Sequence, residues 1–210
     1  MRKLNVLIFS ILLGATSVTA QQTEHFTQYQ FNQFNFNPSV AGTKSCIDIR
    51  TGYRYQWVGI DGAPQTGFIN AHAPLRLSKR RKLFGPKSGI GVSINRDVFG
   101  PFSFLQAHLA YALHLPINRE WRMSFGVALG VKQTSFSTNQ LTSEFNDPAL
   151  PSTSQSFIVF PDARLGLWIA DKRHFIGFSV HNLFGNRLDQ IGPESKLQRH
   201  FYLTAGKQFK

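Results

Sequence analysis

The chain has 210 residues, enough for one domain of ordinary size, a net charge of +12 and a single cysteine. One thiol excludes an internal disulfide framework, so stability has to come from backbone pairing and burial. So basic a balance fits nucleic acid, acidic lipid or an acidic partner surface, and the export signal described next argues against the first.

Residues 1–20 read as a signal peptide. Arg2 and Lys3 form a basic start, an uncharged and mostly apolar run follows from Leu4 to about Val18, and Val18-Thr19-Ala20 precedes Gln21 as a cleavage site. The apolar run is at the short end of what a spanning helix needs. The folded domain is then 21–210. Its opening segment, 21–43, is rich in Gln, Asn and Phe and is expected on the periplasmic side. Three roles are open to it: lining or plugging a barrel, reaching a periplasmic partner, or serving as a flexible leader. Asn37-Pro38 and Gly42 mark turns within it. Cys46 lies well past the cleavage point and is expected as a small buried apolar residue rather than a reactive thiol. No later segment has the roughly 18 consecutive apolar residues of a transmembrane helix, but membrane barrels escape that test because half of each strand is polar.

Alternation begins at Ile47–Trp57, where Ile47, Ile49, Tyr53, Tyr55 and Trp57 share one face and Asp48, Arg50, Arg54 and Gln56 the other. Gln65–Ala73 follows a Gly59–Pro64 turn, and Ser88–Arg96 sets Ile90, Val92 and Ile94 against Gly91, Ser93 and Asn95. The clearest pair comes next. Leu105–Leu115 puts Leu105, Ala107, Leu109, Tyr111, Leu113 and Leu115 on one face, with Gln106, His108 and His114 opposite. Trp121–Val131 does the same with Trp121, Met123, Phe125, Val127, Leu129 and Val131 against Arg122, Ser124, Gly126, Ala128 and Gly130. Each is long enough for the ~9–11 residues of a tilted strand crossing a bilayer, whereas soluble strands average nearer 5–6. Ala163–Ile169, His174–Asn182 and the less regular Phe201–Phe209 bring the total to about eight strands. The fold class expected is all-β, an antiparallel transmembrane outer-membrane barrel, with the eight visible strands either closing or forming part of a larger one.

The connections agree with that class. If the first strand runs away from the periplasm, the tight turns 116–120 and 171–173 fall on the periplasmic side and the long connections 137–160 and 183–199 outside. The basic stretch Ser78-Lys79-Arg80-Arg81-Lys82 then lies on the periplasmic side. Trp57 and Trp121 sit near opposite strand ends on the apolar face, as interfacial girdles do, while Trp168 has inward parity. Gly126, Gly130, Gly166 and Gly177 all have inward parity, where small residues let a wall curve and leave room for bulky neighbours. Arg50, Arg54, Arg122 and Arg164 also point inward, which makes the lumen basic.

Several segments resemble one family. His25-Phe26-Thr27-Gln28-Tyr29 with Phe36-Asn37-Pro38-Ser39-Val40-Ala41-Gly42 is similar to the N-terminal signature of the PorP/SprF family, outer-membrane proteins associated with type IX secretion in Bacteroidota. Tyr53-Arg54-Tyr55-Gln56-Trp57-Val58-Gly59-Ile60, leading into Gly62-Ala63-Pro64-Gln65-Thr66, resembles a further family element. So do Gly89-Ile90-Gly91-Val92, Asp97-Val98-Phe99-Gly100-Pro101, Ile176–Leu183 and Arg199–Gly206. The likeness runs through nearly the whole mature chain, in family order. Family members usually continue further at the C-terminus, so the resemblance implies a shortened member or a fragment. It also implies a role in exporting proteins to the cell surface or attaching adhesins there, in some members supporting gliding motility.

Chemistry is sparse. His108 and His114 share a face but lie roughly 20 Å apart at strand rise, too far to share a metal. No HExxH element, paired-cysteine motif or phosphate loop is present, and Gly85-Pro86-Lys87-Ser88 lacks the upstream glycine such a loop needs. Asp48 is expected to pair with Arg50 or Arg54. No catalytic residue, cofactor or metal is therefore expected. The candidate partner-binding residues are Arg50, Arg54, Trp57, Arg122 and Arg164, together with the 137–160 connection. The partners expected are a secreted or surface-displayed protein, other secretion-system components, and outer-membrane lipid and lipopolysaccharide, with no nucleic acid. The alternatives are a small porin or lipid-binding barrel, which conductance would reveal, and a soluble exported barrel holding an apolar ligand, which would need no detergent.

Overall fold

The computed structural model describes residues 29–75, 85–137, 155–185 and 197–208. Eight strands follow one another: β1 Asp48–Tyr55, β2 Gln65–Leu75, β3 Lys87–Phe99, β4 Phe102–Pro116, β5 Arg122–Ser137, β6 Gln155–Ala170, β7 His174–His181 and β8 His200–Lys207. Each pairs antiparallel with the next, in the order β1 to β8, in a single curled half-barrel sheet. The fold is all-β, and among the described residues no helix is long and apolar enough to cross a membrane.

The register turns the alternation into rows across the concave face, because residues directly opposite in an antiparallel pair share a face. One row reads Pro74, Gly89, Ala112, Gly126, Gly166, Ser179 and Tyr202. A second reads Asp48, His72, Gly91, Ala110, Ala128 and Arg164. A third reads Arg50, Asn70, Ser93, His108, Gly130 and Asp162. The opposite face presents Leu109, Leu129, Leu165, Phe178 and Leu203, all exposed. Buried residues are thus largely polar or small and exposed ones apolar, the reverse of a soluble sandwich and the arrangement that lipid requires.

The concave wall is not empty. A 3-10 turn at Tyr29–Phe31, one helical turn at Gln33–Phe36 and a second 3-10 turn at Pro38–Val40 lie along it. Phe34, Val40 and Ala41 form the apolar core with Ala110, Ala112, Ala128 and Trp168, and the Trp168 ring stacks on Phe175 at 4.7 Å. Burying Phe34 alone contributes about 2 kcal/mol. Trp168 therefore points inward, as its parity predicts.

The glycine row acquires its reason here. A Cβ on Gly89 would overlap Ala41, one on Gly126 would overlap Pro38 and Ser39, and one on Gly166 would overlap Asn37. These small residues form a trough for residues 36–42, which run crosswise over the strands from Ser179 on β7 back to Gly89 on β3. Among the described residues β1 pairs only with β2 and β8 only with β7, so the sheet is an open arc. The space holding 32–42 is space that a closed eight-stranded barrel fills with its own side chains.

Several strand ends differ from expectation, with β5 running on to Ser137 rather than Val131. β6 begins at Gln155 rather than Ala163, yet pairs with β7 only over Leu165–Ala170. Pro161 lies on the stretch that has run past β7. The bond from Leu183 N–H to Ala163 O shows that odd residues turn their backbone to that side, where a residue without N–H forfeits no ladder bond. Trp57 is not on β1 but in the turn after it, exposed and with φ 52°. Cys46 is exposed, not buried: it sits in the bend that carries the chain out of the trough to β1, where no second layer covers it.

Candidate functional site

The site is the seat of residues 32–42, built from amides, histidines and one buried charge cluster. Asn37 is its clip. The Asn37 amide nitrogen donates to the carbonyls of Leu167 at 2.9 Å and Phe178 at 3.3 Å, reaching both β6 and β7. Its Oδ1 accepts from the Ser39 N–H at 3.0 Å and the Ser39 hydroxyl at 2.5 Å, capping the 3-10 turn that follows. Pro38 fits at the first position of that turn, where an N–H would have no partner.

Strand side chains hold the rest by its backbone. The Phe36 carbonyl accepts from the Ser179 hydroxyl at 2.6 Å and contacts His181 Nε2 at 2.7 Å. The Ala41 carbonyl lies 2.8 Å from His114 Nε2, and the Gly42 N–H donates to His72 Nδ1 at 3.2 Å. Asn70 donates to Asn32 Oδ1 at 2.6 Å and Asn95 donates to Asn35 Oδ1 at 2.7 Å. Every one of these groups would have to be rehydrated if the segment left.

Beside the seat lies Asp162, buried on β6. His108 Nε2 is 2.8 Å from its carboxylate, Lys132 Nζ 3.4 Å and Arg164 Nε 3.7 Å. Arg164 donates in addition to the Asn35 carbonyl at 3.2 Å and to Gln106 at 2.8 Å, and Lys132 also bonds Asn182. One carboxylate thus organises two cations and a histidine, and Arg164 passes that order to the segment. A buried charge is tolerated on such terms, paired and hydrogen-bonded on several sides. The cluster is a holding device: both members of the His108–Asp162 pair are buried in the wall.

The residues singled out from sequence are not brought together. Arg164 is central. Arg50 faces inward and pairs with Asp48 at 3.1 Å, with Lys44 on the same carboxylate at 2.7 Å, as expected for Asp48. Arg54 lies at the other end of β1, in register with Thr66, which donates to Asp97 at 2.6 Å. Arg122 starts β5 beside the tight turn, and Trp57 is exposed at the opposite end. Residues 138–154 and the 78–82 basic stretch lie outside the described residues, as does the signal peptide. Sequence reasoning missed Asp162, Lys132 and the three asparagines at 32, 35 and 37. Inward parity was the available signal for Lys132.

The tight turn 171–173 is well determined by Asp171, whose carboxylate accepts from the backbone N–H groups of Arg173 and His174 and faces the His174 ring at 3.1 Å. Those backbone hydrogen bonds, and then the His174 ring, hold its carboxyl down to about 2. Asn118 does the same in the other turn, accepting from Glu120 N–H at 2.9 Å and Trp121 N–H at 2.7 Å.

No curated protein and no solved structure matches this chain. A family model described as type IX secretion system membrane protein PorP/SprF matches residues 18–210, nearly the whole sequence. The chain belongs to the PorP/SprF family of type IX secretion system membrane proteins.

Proposed function

We propose that the protein is an outer-membrane component of type IX secretion that supports export or surface attachment of partner proteins such as adhesins, and that it catalyses no reaction itself. Family membership across residues 18–210 carries this reading. A signal peptide at 1–20 delivers the chain, and the tight turns 116–120 and 171–173 face the periplasm. The opposite end, with Arg54, Trp57 and the connection from β5 to β6, receives the partner. Arg50 and Arg122 add to a basic inner wall, while Arg164 is already engaged with the Asn35 carbonyl and serves the partner indirectly. Other secretion-system components are the natural neighbours of such a protein, and lipopolysaccharide surrounds its outer half. A small porin needs an open lumen, and segment 32–42 occupying the concave wall favours the secretion role over it.

The test is surface display. Arg54→Ala combined with Trp57→Ala should lower display of a cognate surface protein while barrel levels stay normal, since Trp57 is exposed and Arg54 is half-buried at the end of β1. Unchanged display at normal barrel levels removes these residues from the partner site.

A further inference from the structure

On the outward face, β4 to β7 enclose an apolar depression of about 520 Å³. Its walls are Tyr111, Phe125, Val127, Leu165, Leu167 and Phe178, and Gly126 and Gly166 contribute only backbone to its floor. The Tyr111 hydroxyl is turned aside onto Ser88 at 3.0 Å, leaving the ring to the depression. A peptide backbone placed here would find no polar partner, at a cost of several kcal/mol per group, whereas an acyl chain has none to satisfy.

The two tight turns that join these same four strands lie at one end of the depression. They carry Arg119, Lys172 and Arg173, all exposed, whose side chains form no ion pair among the described residues. Of the acids beside them, Asp171 is taken up by its own turn, and Glu120 forms no ion pair among the described residues. Phe125 and Leu167 are three to four residues from the turns, roughly 10–14 Å at strand rise, which is within one leaflet of a ~30 Å hydrocarbon core. Trp121, outward by parity and half-buried, stands between them and the turn where an interfacial ring belongs.

We propose that this face binds one anionic phospholipid, an acyl chain lying in the depression and the phosphate against Arg119, Lys172 and Arg173. The proposal rests on the strands spanning a membrane. In the orientation given above the lipid belongs to the periplasmic leaflet.

The full chain is purified in mild detergent, offered equal amounts of phosphatidylglycerol and phosphatidylcholine, and the lipid retained after detergent exchange is read by native mass spectrometry. Retention of one phosphatidylglycerol is expected. Leu165→Trp fills the depression and should lower retention about tenfold, the loss of a few buried methylenes. Arg119→Gln with Lys172→Gln and Arg173→Gln should abolish the preference for the anionic headgroup while some lipid is still retained. Equal retention by the wild type and Leu165→Trp overturns the proposal, as does a wild type with no headgroup preference. A membrane protein retained in place of lipid overturns it too. The turn variant alters only exposed residues, so its result stands even where Leu165→Trp folds poorly. A chain soluble without detergent would defeat the membrane reading itself; a detergent-requiring chain without retained lipid defeats only the lipid site.

Discussion

Replacing Gly166 by alanine is the sharpest probe of how the N-terminal segment is held. The new Cβ would overlap Asn37 Oδ1 and press on the Pro38 ring, and neither β6 nor its neighbours has room to give, since Gly166 lies in the middle of a ladder flanked by Gly126 and Ser179. Asn37 must then leave, giving up its bonds to Leu167, Phe178 and Ser39. Those four hydrogen bonds, two of them only part-buried, make the loss about 3 kcal/mol at ~0.5–1 kcal/mol net each. Since every ~1.4 kcal/mol is a factor of ten, the released state becomes about a hundredfold more populated. The assay is maleimide labelling of Val40→Cys in a Cys46→Ser background, because Cys46 is exposed and Val40 is buried. Labelling should be slow in the parent and about a hundredfold faster with Gly166→Ala, by the same conversion. Gly52→Ala, whose Cβ meets the Phe68 ring rather than the segment, is the control and should change nothing at Val40→Cys. Fast labelling in the parent, or no acceleration with Gly166→Ala, would refute the clip.

Asp162→Ala leaves buried Arg164 and half-buried Lys132 without their carboxylate and should cost about 3 kcal/mol, seen as an earlier thermal loss of β circular dichroism in detergent. An unchanged midpoint would show that the cluster does not hold the wall. The Asp171 turn predicts a pH response of known sign. Its folded-state carboxyl is depressed to about 2 from 3.8, so the turn's contribution is complete above pH ~4 and is lost as pH falls through about 2. The amide resonances of Arg173 and His174 should shift together with a midpoint near 2, and a midpoint near 4 would mean that the cap does not form.

The legible part of this chain was parity. In β4 and β5 every residue given an outward or inward face has it, because one face meets lipid and the other does not, and the register then carries that division across the sheet. Trp168 and the four inward arginines followed from the same rule. The first half of β6 was illegible because Ile158 and Phe160 on the inner face are as apolar as Phe157 and Val159 on the outer one, and Pro161 argues against a strand at all. The trough was missed for another reason. Glycines at 89, 126 and 166 suit a curving wall equally well, and only the register shows that they stand in one row, with Ala112, under one crossing segment. The Asn37-Pro38-Ser39 step was visible as a turn, but its contacts on β6 and β7 lie 130 to 141 residues away, beyond any local signal.

That separation also orders events in time. The residues that settle against β2, β3, β6 and β7 precede all of these strands in the chain, yet the hydroxyl and imidazole awaiting Phe36 follow 143 and 145 residues later. Contacts this distant in sequence close slowly, and closure entropy has to be met before any of them stabilises the product. Hairpins such as β4–β5 can zip within microseconds of emerging, whereas the start of the chain has to be kept solvated until β7 is in place. Assembly therefore finishes with a segment made before every strand it joins, and a carrier that shields residues 32–42 would govern how fast the finished wall appears.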